Sequence, residues 1–113
     1  MSLDTNQLIS NIKDAASSVI NHNVAEIRGF SERQLSALAL QAQLIAKAII
    51  SNEIGEDLRD YFLDSLEDMA LNFAKTLRGL LAVTIEKVWN AIIGVIWSAI
   101  EACTGISLKV ASL

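Results

Sequence analysis

The chain has no proline and only five glycines among its 113 residues. These two residues supply many of the turns that β-sheets and long loops require. Their scarcity argues against both, and it predicts an all-α fold.

Cysteine and histidine each occur once, so an internal disulfide is excluded. Cys103 lies on an apolar row with no cationic neighbour to activate its thiol, and we expect a small buried side chain there. His22 stands between two asparagines and is expected at the surface. The sequence has no phosphate-binding glycine loop, no Cys/His metal cluster and no nucleophile beside a base. We therefore expect no enzymatic activity, no cofactor and no bound metal.

Basic residues are also few, and the net charge is -4. This balance opposes generic binding to nucleic acid, whose affinity depends on Lys and Arg. The start of the chain lacks the basic and apolar segments of a signal peptide, which predicts a cytoplasmic protein.

The acidic residues are concentrated between positions 53 and 68, where Arg59 is the only base. Acids near a helix N-terminus are stabilised by the helix dipole, so a solvated surface is the simpler interpretation. The alternative is a docking patch for a basic protein partner. Four of the carboxylates, spaced by three and four residues, share one helical face, which we name the acidic face: Asp57, Asp60, Asp64 and Asp68.

Hydrophobic residues make up 52% of the chain, and their spacing predicts one helical domain over residues 1–113. The first helix is predicted at 5–28. Gly29 can end it, and Ser31 with Gln34 forms a capping box that starts a second helix at 32–51.

The third segment, 56–103, is predicted as one long helix. Its apolar residues step by 4, 3 and 4 from Phe62 to Ala102 without losing phase at Gly79. An eleven-residue repeat keeps such a stripe on one side of a nearly straight helix. The predicted architecture is a hairpin or bundle of three helices with a long C-terminal helix. The alternative is a four-helix up-down bundle broken near Gly79.

The second half of this segment is unusually apolar, with 17 apolar residues among the 24 at positions 80–103. Such a helix needs contacts on at least two sides. Two shorter helices of the same chain would cover only part of it, so we expect a second copy to cover the rest. The candidate interface residues are Leu81, Ile85, Val88, Trp89, Ile92, Val95, Ile96, Trp97 and Ile100.

The same segment could meet a membrane. A span over 79–103 would place Glu86 and Lys87 in the bilayer at a cost of about 2.5–3.5 kcal/mol each, while each Leu, Ile or Val returns about 0.3–0.6 kcal/mol. The sum disfavours a stable transmembrane helix and leaves an interfacial helix or an assembled pore open.

Three stretches carry a resemblance to known proteins: Arg28-Gly-Phe-Ser-Glu-Arg-Gln-Leu, Leu-Arg-Asp-Tyr-Phe-Leu-Asp-Ser-Leu-Glu-Asp-Met-Ala at 58–70, and Thr84-Ile-Glu-Lys-Val-Trp-Asn-Ala. Over residues 28–100 the chain resembles small uncharacterised helical proteins of Mu-like prophages. The resemblance implies a prophage context, where short acidic helical proteins serve assembly, regulation or lysis.

Three functions follow as expectations. The first is a non-enzymatic structural or adaptor protein that forms homo-oligomers through residues 80–103. The second is a membrane-active protein of the lysis or holin type. The third is an acidic regulator that binds a basic partner.

Overall fold

The computed structural model describes residues 3–108, which form an all-α helical bundle of four α-helices with no strand. The helices are α1 at Thr5–Ile20, α2 at Glu32–Ile50, α3 at Glu56–Thr76 and α4 at Ala82–Thr104. A short 3-10 helix at Val24–Glu26 lies between α1 and α2.

The first helix is shorter than the predicted segment 5–28. Asp4 caps its start by accepting hydrogen bonds from the amides of Asn6 and Gln7. The helix ends at Asn21, which adopts the left-handed conformation with φ +55°. Asparagine tolerates this conformation and competes for backbone hydrogen bonds, so α1 ends there and not at residue 28. The side chain of Asn23 then caps the 3-10 helix by accepting from the amide of Ala25 at 3.0 Å.

The second helix begins where the capping signal predicts it. The Ser31 hydroxyl accepts a hydrogen bond from the amide of Gln34 at 3.1 Å. This bond satisfies one of the amides that every helix leaves unpaired in its first turn.

The predicted continuous helix over 56–103 is wrong, because the chain turns between α3 and α4. Leu77 is extended and Gly79 has φ +85°. The turn folds α4 back along α3, and the indole Nε1 of Trp89 donates a hydrogen bond to the carbonyl of Glu67 at 2.9 Å. Packing both apolar halves into one core outweighs the local preference for an uninterrupted helix.

Two similar turns meet at one end of the bundle. Each contains an Arg-Gly pair, and Gly29 and Gly79 have φ values of +90° and +85°. The amide of Arg78 donates to the carbonyl of Arg28 at 2.8 Å. A Cβ added to Gly29 would overlap the carbonyl oxygen of Thr76, whereas one added to Gly79 would meet open space. Gly29 therefore permits the close approach of the two turns.

The core joins side chains from all four helices. Near the paired turns, the rings of Phe30 and Phe73 meet edge to face with centroids 5.9 Å apart. At the same end, Lys13 lies 2.8 Å from the carboxylate of Glu32. Large side chains that are almost fully buried come from every helix: Leu8, Ile12, Leu35, Leu38, Leu66, Phe73, Ile92, Ile93, Ile96 and Ile100.

Candidate protein-contact surfaces

Most of the predicted α4 interface lies inside the chain's own core. Leu81 is 73% exposed, while Ile85 and Val95 are half-buried. The remaining six are buried: Val88, Trp89, Ile92, Ile96, Trp97 and Ile100. Because α4 packs against α1, α2 and α3, one chain covers the surface that we expected a second copy to cover. The interface prediction depended on the continuous helix, and the turn at Gly79 removes its premise.

The acidic face lies on the solvent side of α3, with all four carboxylates exposed. Next to it, Glu67 is half-buried. Burial raises the pKa of the Glu67 carboxyl, and the charge of Asp64, a hydrogen bond with Asp64 and the charge of Asp68 raise it further. Among residues 3–108, the ion pair of Lys13 with Glu32 and the 3.3 Å contact of His22 with Glu26 do not involve α3. The acidic face is therefore available to a partner.

Of the residues that the structure describes, seven with large apolar side chains are more than half exposed: Leu40, Leu44, Ile50, Leu58, Tyr61, Leu81 and Val83. They lie in three regions, which are the outer side of α2, the residues around the turn between α2 and α3, and the start of α4. Only Leu81 was among the predicted interface residues. The sequence contained a signal for the α2 pair, because Leu40 and Leu44 do not belong to the row that packs into the core.

The outer side of α2 carries a regular row of exposed residues. Its members step by four and three residues in alternation, which is the spacing of a coiled-coil contact row. The inner row, including Leu35, Leu38 and Ala42, is buried in the bundle. The exposed row, which we name the outer seam, consists of Arg33, Ala37, Leu40, Leu44, Lys47 and Ser51.

A groove of about 500 Å³ runs beside the outer seam at the end of α2, and it is lined by Leu3, Gln43, Leu44, Lys47, Ile50, Ser51 and Cys103. The side-chain amide of Gln43 donates to the carbonyl of Leu3 at 2.9 Å and ties the start of the chain to α2. Cys103, expected to be buried, is half-buried at this groove. Within residues 3–108, no group of three or more His, Cys, Asp or Glu side chains could hold a metal ion.

One helix of the described chain, Ala82–Thr104, is long and apolar enough to cross a membrane, with a mean hydropathy of 1.3. Of its most apolar window, 39% is buried inside the bundle. A core helix of a soluble protein has the same length and composition.

Comparisons with protein-family models, with curated proteins and with solved structures found no match for this chain. The surfaces described above are therefore the basis for assigning a function.

Proposed function

We propose that this protein is a non-enzymatic, self-associating structural or adaptor protein of the cytoplasm, built as an up-down four-helix bundle and encoded in a prophage context. The observation that supports it is the set of seven exposed apolar side chains. Single exposed leucines are normal on protein surfaces, but the exposed α2 leucines are one helical turn apart on one face.

The free energy available from burying these exposed side chains can be compared with the cost of association. Fully burying a Leu or Ile side chain contributes about 1.5–3 kcal/mol, so covering the exposed half of one contributes about 1 kcal/mol. Because the seven side chains lie in three regions, one contact covers only some of them, and the two α2 leucines of each copy together contribute about 4 kcal/mol to a dimer. Association costs about 4–15 kcal/mol in lost freedom of motion, so this contact alone gives at most a weak dimer, and polar pairs must add to it.

Sedimentation equilibrium on the purified protein tests the proposal. The monomer mass is 12.3 kDa, and we expect a mass of at least twice this value that falls on dilution. Association through apolar side chains persists at high salt, whereas association through surface charges weakens. A folded protein that stays monomeric up to its solubility limit contradicts the proposal.

The exposed acidic face supports a second candidate function, binding to a basic protein partner. Charge reversal at Asp60 and Asp64 should then abolish capture of the partner, and added salt should weaken the complex. Glu86→Lys, at an exposed acid on α4, is the matched control. Capture that is equally strong with the reversed face would rule out this function.

The length and composition of α4 support a third candidate, a membrane-active protein. Seven of the ten large apolar side chains of α4 are buried in the bundle, so insertion requires α4 to leave its neighbours. Flotation with liposomes, both neutral and anionic, tests this function. Protein that remains in the aqueous fraction with both lipid compositions would count against it.

A further inference from the structure

We infer that two copies of this protein pair through the outer seam of α2, with the two α2 helices antiparallel. This pairing rests on the proposed self-association and identifies the surface through which it takes place. The alternating spacing of the outer seam is the spacing at which side chains of two helices interlock. Leu40 and Leu44, 51% and 52% exposed, stand at its centre.

The charges of the outer seam select the antiparallel direction. In a parallel pair, Arg33 would face the partner's Arg33 and Lys47 would face the partner's Lys47, which places like charges together. In an antiparallel pair centred between the leucines, Leu40 packs against the partner's Leu44. Lys47 then lies opposite the partner's Ala37, whose small side chain leaves room for the lysine stem while the ammonium group reaches water.

The end of the seam supplies a partner for Arg33. In the antiparallel pair, Arg33 lies opposite the partner's Ser51. The Ser51 hydroxyl lies 2.8 Å from the Glu53 carboxylate and 2.9 Å from the Lys47 carbonyl, and its one proton is shared between these acceptors. The Glu53 carboxylate therefore lies beside the end of the seam. The Arg33 guanidinium therefore meets the partner's Glu53, and the same pair forms again at the other end. A carboxylate held in place in advance is a good acceptor for a guanidinium.

The seam is complementary to itself, which is why a second copy is the occupant. A two-fold contact requires that when one residue meets a second across the interface, the second also meets the first. The pairings of Leu40 with Leu44, Ala37 with Lys47, and Arg33 with Ser51 satisfy this condition about one axis, as they do for any helix paired antiparallel with its own copy. What favours a second copy is charge: the same axis brings Arg33 to the partner's Glu53 at both ends and keeps the basic side chains apart.

Disulfide cross-linking tests the direction of pairing. Leu40→Cys and Leu44→Cys are made separately in a Cys103→Ala background and mixed under mild oxidation. We expect the mixed disulfide between the two variants to form at least tenfold faster than either homodimer disulfide. Faster self-linking of Leu40→Cys would show a parallel pair and overturn the inference.

Sedimentation of surface variants tests the seam itself. Leu44→Lys should weaken dimerisation at least tenfold, while Leu58→Lys, at a leucine of equal exposure outside the seam, should leave it unchanged. Arg33→Glu should also weaken the dimer, and adding Glu53→Arg should restore it. Circular dichroism checks that each variant is folded. If the wild type self-associates and Leu44→Lys does not weaken it, the seam is refuted and the proposed function stands. If the wild type is a monomer, both are refuted.

Discussion

Gly29 and Gly79 allow one prediction to be made with an internal control. Both follow an arginine, and both have a left-handed backbone, with φ values of +90° and +85°. Alanine at either position costs about 1–2 kcal/mol for the unfavourable backbone conformation. The loss of chain entropy in the unfolded state is the same for both substitutions and cancels in their comparison.

Packing distinguishes the two glycines. A Cβ at Gly29 overlaps the carbonyl oxygen of Thr76 and lies 3.4 Å from Cγ of Arg78, whereas a Cβ at Gly79 has nothing within 4 Å. Relieving this overlap separates the two turns and breaks the hydrogen bond from Arg78 to Arg28, which contributes about 0.5–1.5 kcal/mol. We therefore expect Gly79→Ala to destabilise the fold by about 1–2 kcal/mol and Gly29→Ala by about 1.5–3.5 kcal/mol.

Urea unfolding followed by tryptophan fluorescence measures both values, since Trp89 and Trp97 are only 4% and 8% exposed. If the unfolding free energy depends on urea concentration with the same slope in both variants, the difference between their midpoints reflects stability and not a change in the denatured state. Equal destabilisation by the two substitutions would refute the close packing of the turns.

Three further predictions concern single side chains. Trp89→Phe removes the donor to the Glu67 carbonyl and should lower the free energy of unfolding by about 1–2 kcal/mol in urea titrations; no loss would contradict the hydrogen bond. Because the pKa of Glu67 is raised, the folded chain binds the proton of this carboxyl more tightly than the unfolded chain does. The protonated carboxyl therefore contributes stability at low pH, and this contribution is lost as the pH rises through the pKa of the folded state. Glu67→Gln, which cannot lose a proton, should therefore gain stability relative to the wild type as the pH rises above 4.5, the ordinary pKa of a Glu carboxyl, and a difference independent of pH would argue against burial of this carboxyl. Leu81 stands at the N-cap of α4 without a capping hydrogen bond, so Leu81→Ser should stabilise the monomer by about 0.5–1 kcal/mol. This gain is measured as a higher Tm, and a lower Tm would indicate that Leu81 is packed against another molecule.

Local chemistry was sufficient to predict the all-α class and the start of α2. Ser31 and Gln34 form a capping interaction within four residues, so the signal is complete in the sequence. The end of α1 was missed because apolar spacing continues through Val24, which is buried although it lies outside α1. A residue can therefore continue the apolar spacing of a helix, and pack in the core, although the helix itself has already ended.

The turn at Gly79 was missed for a related reason. Leu77 is 2% exposed and Leu80 is half-buried, so both sides of the turn keep their apolar residues towards one core. The repeat therefore continues in phase whether the chain proceeds straight or folds back. The free energy gained by packing α4 against three helices decides between a straight helix and a turn. That free energy depends on residues distant in sequence.

The missed turn at Gly79 also bears on the interface prediction, because six of its nine residues are buried within the chain's own core. Ile92 and Ile96 needed cover, and the sequence shows this need without showing which chain provides it. The outer seam presents the opposite case: Leu40 and Leu44 lie off the core row in the sequence, and the packing of the bundle shows that no other helix within residues 3–108 covers them. Apolar spacing locates the faces of a helix, and the tertiary packing determines which face is left for a partner.

The first helix packs mainly against the last, and this pairing is the most extensive in the bundle. Short turns at 51–55 and 77–81 join α2 to α3 and α3 to α4, so these pairs form at a small entropic cost of loop closure. Residues 21–31 separate α1 from α2, and the pairing of α1 with α4 closes the longer loop of residues 21–81. Folding should therefore finish with the docking of α1, and the rate of that step sets how long the apolar surface of α4 is exposed to aggregation during folding.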